Sequence, residues 1–163
     1  MKKAVSATIT PLQPDGSLDR AGLAKVFERN IQHGIDGIFI LGSIGEWGSF
    51  SDEFKLELVR ESSAIVGGRT ELMVGISATG IDLSLANLRK YAPYAFDSYV
   101  FMLPARTSLR DPVKSILSVL DAADRPVYYY HCPPNNGIAL SLEQFARIMA
   151  HPNLKGIKNS SSD

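Results

Sequence analysis

The chain has 163 residues, 45% of them apolar, and its 17 Lys plus Arg balance 17 Asp plus Glu, so it can build one domain with a real core. A neutral chain without a long like-charge block has no field to recruit nucleic acid or an anionic membrane, and no apolar run approaches bilayer-spanning length. The single cysteine, Cys132, precludes an intrachain disulfide and suits a reducing, cytoplasmic compartment.

Met1-Lys2-Lys3 is basic, but Ser6, Thr8, Thr10 and Pro11 interrupt the stretch after it, so no signal core is expected. Ala4 to Thr10 reads as a strand stopped by Pro11, and Pro14-Asp15-Gly16-Ser17 as a turn. Leu23, Val26, Phe27 and Ile31 then recur at helical spacing, with Gly34 as the stop. Gly37 to Leu41 is an apolar strand. The loop Gly42-Ser43-Ile44-Gly45-Glu46 leads to a helix capped near Ser51, with Phe54, Leu58, Val59 and Ile65 inward. Leu72 to Ile76 is the third strand, Ile81 to Tyr91 a helix, and Tyr99 to Leu103 the fourth strand, halted by Pro104. Ser108 to Leu120 is helical, with Pro112 tolerated in the first turn. Val127 to Tyr130 is the fifth strand, with Tyr128 and Tyr130 on one side and Tyr129 on the other. Ser141 to Gln144 is a capping box opening a helix to Met149, and Leu154 to Lys158 is the sixth strand.

Strand and helix alternating at short spacing means parallel βαβ units. No glycine-rich phosphate fingerprint comes after the first strand, which argues against a dinucleotide fold. Thr10, Ser43, Glu46, Ser77, Tyr130 and Lys158 instead gather at the C-terminal ends of different strands, where a barrel collects its chemistry. Lys158 closes an apolar run, and a lysine desolvated at a strand end retains free amine to attack a carbonyl. His131 and Cys132 have no third ligand at metal spacing and are read as structural.

Together these motifs carry a resemblance. The chain resembles the pyruvate-dependent class I aldolases of the N-acetylneuraminate lyase and dihydrodipicolinate synthase superfamily. Thr8-Ile9-Thr10-Pro11 with Asp15 to Asp19 looks like the family's first strand and turn, and Gly42 to Glu46 is similar to its glycine-hydroxyl loop. Tyr130 to Gly137 matches its tyrosine segment, and Gly156-Ile157-Lys158-Asn159-Ser160-Ser161 its lysine strand. The fold implied is α/β, a (β/α)8 TIM barrel of which residues 1–163 supply one domain with the N-terminal six βα units only, an incomplete barrel. Ending just after the lysine, the chain is expected to be a fragment whose missing part closes the pocket. Unaided, it is not expected to be an active, stable monomer.

The resemblance implies a Schiff-base lyase or aldolase acting on a 2-keto acid, pyruvate plus a sugar-acid type of aldehyde. Lys158 is the nucleophile, Tyr130 the proton-shuttling phenol and Ser43 the relaying hydroxyl. The backbone N–H groups of Ser43 and Ile44, exposed by a turn that Gly42 and Gly45 permit, hold the substrate carboxylate; Gly45 and Asn135 complete the substrate-binding set. No metal or organic cofactor is implied, since the lysine imine is the electron sink, and a family-type homodimer or homotetramer is expected. Glu46 is expected to be a buried carboxylate orienting the loop, and Trp47 to shape the pocket or join the core.

Departures qualify the match. Ile44 stands where a second hydroxyl is commonest. Leu103-Pro104-Ala105-Arg106-Thr107 lacks the aromatic residue of the family relay, so Arg106 or water takes its place or the relay is impaired. Asn135 replaces the arginine of the synthase branch, which disfavours 4-hydroxy-tetrahydrodipicolinate synthase. That synthase and a silent barrel remnant binding a small carboxylate or a partner are the alternatives.

Overall fold

The computed structural model describes residues 3–105 and 111–161. Six strands alternate with helices: β1 (Val5–Ala7), α1 (Arg20–Gln32), β2 (Gly37–Ile40), a 3-10 turn (Trp47–Ser49), α2 (Asp52–Val66), β3 (Glu71–Gly75), α3 (Ile81–Tyr91), β4 (Ser98–Phe101), α4 (Pro112–Ala122), β5 (Val127–His131), α5 (Pro133–Asn136), α6 (Leu142–Met149) and β6 (Leu154–Asn159). The strands run in the order β1-β2-β3-β4-β5-β6, with β1 on β2, β2 on β3, β4 on β5 and β5 on β6 parallel. This is the α/β architecture of the TIM barrel, represented by six βα units. Two compact units make up the chain, Met1–Gly75 with Lys90–Ser98 and Ile76–Arg89 with Tyr99–Asp163.

In the first unit the helix ends are set by local chemistry. Asp19 accepts the Gly22 N–H and starts α1; Ser51 accepts the Phe54 N–H and starts α2. Gly34 (φ 72°) and Gly67 (φ 53°) take the left-handed backbone that stops each helix. Leu23 and Phe27 of α1 and Leu58, Val59 and Val66 of α2 are buried, as are Ile38, Phe39, Ile40, Leu72, Met73 and Val74 of the strands. Val26, Ile31, Phe54 and Ile65 are only half-buried, Phe54 stacking on Phe50 at 4.3 Å. At Gly75 an added β-carbon would strike the Leu41 carbonyl group, so β3 ends there in intimate contact with the chain leaving β2.

The second unit is built on Tyr99, Val100, Phe101, Val127 and Tyr129, covered by Val113, Ile116, Val119 and Leu120 of α4 and Ile148 of α6. The Tyr99 hydroxyl donates to Asp124 at 2.8 Å, and Ser141 and Gln144 form the expected capping box. Sequence and structure agree on every long element. Strand limits differ by one to three residues, most in β1, where Thr8 to Thr10 leave the ladder. The helix α4 begins at Pro112, capped by Asp111; its expected start at Ser108 lies outside the described residues. The short α5 is unforeseen. No helix among the described residues is long and apolar enough to cross a membrane.

Candidate active site

Val127 to His131 are almost wholly apolar or aromatic and form β5; Leu154 to Asn159 form β6 beside it. Val127 pairs with Leu154, but the register then shifts: Tyr128 pairs with Gly156 and Tyr130 with Lys158. Counted straight on from Val127, Tyr130 would meet Ile157. A one-residue bulge, taken up at Lys155, therefore sets Lys158 opposite Tyr130 and on its face of the ladder. Gly156 makes the approach possible, since a β-carbon there would sit 3.0 Å from the Tyr128 ring.

The Lys158 Nζ lies over the Tyr130 ring, 3.7 Å from its centroid. Tyr130 is buried and Lys158 half-buried. Burial holds the Lys158 ammonium below the usual lysine range, and the neighbouring Cys132 thiol acts in the opposite sense. Such an amine is partly free at a pH where a surface lysine is fully charged.

Beyond Tyr130 the chain turns through Cys132 into α5, and Gly137 (φ 72°) ends it. Asn135, singled out from the sequence, is exposed. Its neighbour Asn136 does the structural work: its side-chain N–H donates to the Leu103 carbonyl at 3.1 Å, and its Oδ1 accepts the Ile138 N–H at 3.0 Å. The sequence reading overlooked Asn136, although an asparagine directly before a glycine is a turn-forming signal. His131 points to the other side of β5, where the Phe145 ring meets it edge-on at 4.9 Å. Burial lowers its pKa, and its Nδ1 has no hydrogen-bond partner among the described residues. His131, Asn159, Ser161, Leu140, Leu142 and Phe145 line a cavity of about 430 Å³. His131 and Cys132 are both buried, and no group of three or more His, Cys, Asp or Glu suited to a metal occurs among the described residues.

In the first unit the loop after β2 is tightly constrained. Leu41 and Glu46 both have φ of 55°. A β-carbon on Gly42 would strike the Phe39 ring at 2.7 Å, and one on Gly45 would sit 3.1 Å from the Thr8 carbonyl oxygen. The Thr10 hydroxyl donates to the Gly45 carbonyl at 2.9 Å, fixing the loop to the end of β1. Ser43 and Ile44 are exposed at its tip. Among the described residues the N–H groups of Ile44 and Gly45 meet no acceptor, the property of a turn that receives an anion.

The expectation of a buried Glu46 is corrected: Glu46 is exposed. Its left-handed backbone at the start of the 3-10 turn directs the side chain outward, and its carboxylate caps no N–H there. Trp47 is half-buried with the Lys55 ammonium 5.9 Å from its ring. Ser77, in the second unit, is occupied in accepting the Met102 N–H at 2.9 Å. Arg106 lies outside the described residues.

Known proteins share this fold. The model of the dihydrodipicolinate synthetase family matches residues 1–163. The chain is 30% identical over 161 residues to a 4-hydroxy-tetrahydrodipicolinate synthase of Xanthomonas campestris, covering 98% of this chain and 53% of that protein. It is also 30% identical to the synthase of that name from Corynebacterium aurimucosum, over 96% of this chain and 53% of the other. The chain thus spans about half the length of the curated relatives it matches. Among solved structures, a dihydrodipicolinate synthase from Bacillus anthracis superposes with a TM-score of 0.93 at 21% identity, covering 99% of this chain and 56% of that one. YagE of Escherichia coli K12, a prophage protein of the dihydrodipicolinic acid synthase family solved with pyruvate, gives 0.92 at 23% identity, over 99% and 55% of the two chains.

Proposed function

Because the chain belongs to the dihydrodipicolinate synthetase family, we propose that it acts in a pyruvate-dependent class I aldolase, with Lys158 as nucleophile. The observation that supports this best is the half-buried Lys158 amine, its pKa lowered by desolvation, set directly against Tyr130. In the proposed reaction the neutral Nζ adds to the C2 carbonyl of a 2-keto acid, and loss of water leaves an iminium. When a C4 hydroxyl gives up its proton, the C3–C4 bond breaks, its electron pair passes into the iminium and an aldehyde departs. Protonation of the resulting enamine at C3 and hydrolysis return pyruvate and the lysine. Tyr130 and Ser43 are the proposed proton carriers. The N–H groups of the Ser43, Ile44 and Gly45 turn are the proposed carboxylate holders, donors that bring no mobile charge. The lysine supplies the electron sink, so the proposal needs no metal or organic cofactor. We place the enzyme in the cytoplasm as a homo-oligomer, in keeping with the family resemblance.

Borohydride reduction in the presence of pyruvate tests the assignment: in a form of the protein that holds a closed barrel, mass spectrometry is expected to find the reduced adduct on Lys158. A folded protein that binds a small carboxylate without forming this adduct would instead be a silent remnant. Since only the neutral amine attacks, adduct formation is expected to rise with pH and to level off below the pH at which a solvated lysine would.

The aldehyde partner proposed is of the sugar-acid type. The names of the relatives point to the synthase reaction instead, but that branch grips its amino-acid substrate with an arginine where this chain has Asn135. A lost bidentate contact to a carboxylate costs about 2–3 kcal/mol, so condensation with aspartate semialdehyde is expected to be roughly 100-fold less efficient than cleavage of a keto sugar acid. Comparing kcat/KM for the two reactions decides the point, and equal efficiency would favour the synthase.

A further inference from the structure

We propose that the face of the Tyr130 ring, and not its hydroxyl, governs the protonation of Lys158: the ring holds the protonated ammonium and thereby sets the pH at which the amine is released as a nucleophile. The proposal builds on Lys158 as the nucleophile for its consequence, while its physical basis is independent of that role.

The basis is geometric. At 3.7 Å from the ring centroid, Nζ sits against the π-face of Tyr130, in the region where the aromatic quadrupole attracts a cation. The position is imposed by the backbone, because the bulge at Lys155 makes Tyr130 and Lys158 a cross-strand pair. A second pair on the same two strands provides the contrast. Lys155 lies 5.4 Å from the Tyr128 ring centroid and is exposed, so its ammonium keeps its water and gains little from the ring.

Two influences therefore oppose each other at Lys158. Burial disfavours the ammonium; the ring face favours it. Cys132, next after β5, acts on Nζ to raise the Lys158 pKa and the Tyr130 phenol belongs to the ring beneath Nζ, while Lys155 on β6 itself lies over Tyr128. If the ring were replaced by an aliphatic side chain of similar size, the apolar wall would remain and the attraction would vanish. The amine would then lose its proton at a lower pH.

The test uses the intact chain without keto acid. Lys158 is methylated with formaldehyde and cyanoborohydride over a series of pH values, with Lys25 as an exposed reference, and modification at each lysine is tracked by mass spectrometry. Tyr130→Phe keeps the ring and loses the hydroxyl, and its midpoint for Lys158 is expected to match the parent. Tyr130→Leu is expected to move that midpoint down by about one pH unit, the size of a partly desolvated cation–π contact, leaving Lys25 unmoved. Equal midpoints in all three proteins, or equal shifts in the two variants, would overturn the proposal. If circular dichroism shows Tyr130→Leu unfolded, Tyr130→Met poses the same question. NMR of the parent chain asks it with no substitution: the Lys158 Hε protons are expected well upfield under the ring current, and ordinary shifts would overturn the assignment. A pyruvate adduct that never forms while this pattern holds would remove the aldolase reading and leave the ring's role standing.

Discussion

Lys158→Arg is expected to abolish the borohydride-trapped pyruvate adduct and to lower any aldol turnover by on the order of 1000-fold or more, with the fold unchanged. Arginine keeps the positive charge and a flat cation able to lie on the Tyr130 ring, so the packing of β5 against β6 has no reason to change. Guanidinium stays protonated at any pH the fold withstands and offers no free amine. The substitution thus separates charge from nucleophilicity, which alanine would not do. Lys158→Met should behave differently again. It removes the adduct just as fully but relieves the desolvation that depresses the Lys158 pKa, so its unfolding midpoint in urea is expected above that of the parent. An adduct that survives in either variant would place the nucleophile elsewhere.

Gly75→Ala is expected to cost about 3 kcal/mol or more of stability, read as a lower urea midpoint with an unaltered slope. The new β-carbon would lie against the carbonyl of Leu41, and Ile40 stands 3.2 Å away with its own carbonyl oxygen. Neither can yield as a flexible side chain would. Leu41 already holds a left-handed backbone, so the strain falls on the residue that starts the Ser43 loop. Any pyruvate binding that uses this loop should weaken along with stability. A variant as stable as the parent would mean that β2 and β3 can separate at their ends without penalty.

The elements with regular apolar spacing were legible in the sequence. The helix from Ile81 to Tyr91 agrees at both ends, and the Ser141 capping box marks α6 because the reciprocal hydrogen bonds need only those two side chains at that spacing. Alternation placed Tyr129 away from Tyr130, and the two rings do pack on different neighbours. Local backbone geometry, by contrast, left no mark in composition. Glu46 reads like a carboxylate to be buried, but its orientation depends on a left-handed φ that a sequence pattern does not encode for a non-glycine residue. Asn135 drew attention over Asn136 because motif matching compares positions, whereas the useful hydrogen bonds depend on which of two adjacent amides faces inward. The resemblance gave Tyr130 and Lys158 roles in one reaction but not the register that sets them opposite each other. Simple strand counting from Val127 and Leu154 would have paired Tyr130 with Ile157, since nothing about Lys155 as a residue type announces an irregular ladder.

That irregularity also gives β6 one residue more than its ladder with β5 uses. Loss of a single codon at Lys155 would leave Leu154 beside Val127, Gly156 beneath the Tyr128 ring and Lys158 across from Tyr130, now in an unbroken register. Gain of one residue between Leu154 and Lys158 has no such slack to draw on: it must either be added to the existing bulge or turn the lysine to the opposite face. Length variation in this strand should therefore be one-sided, with shortening tolerated and lengthening selected against.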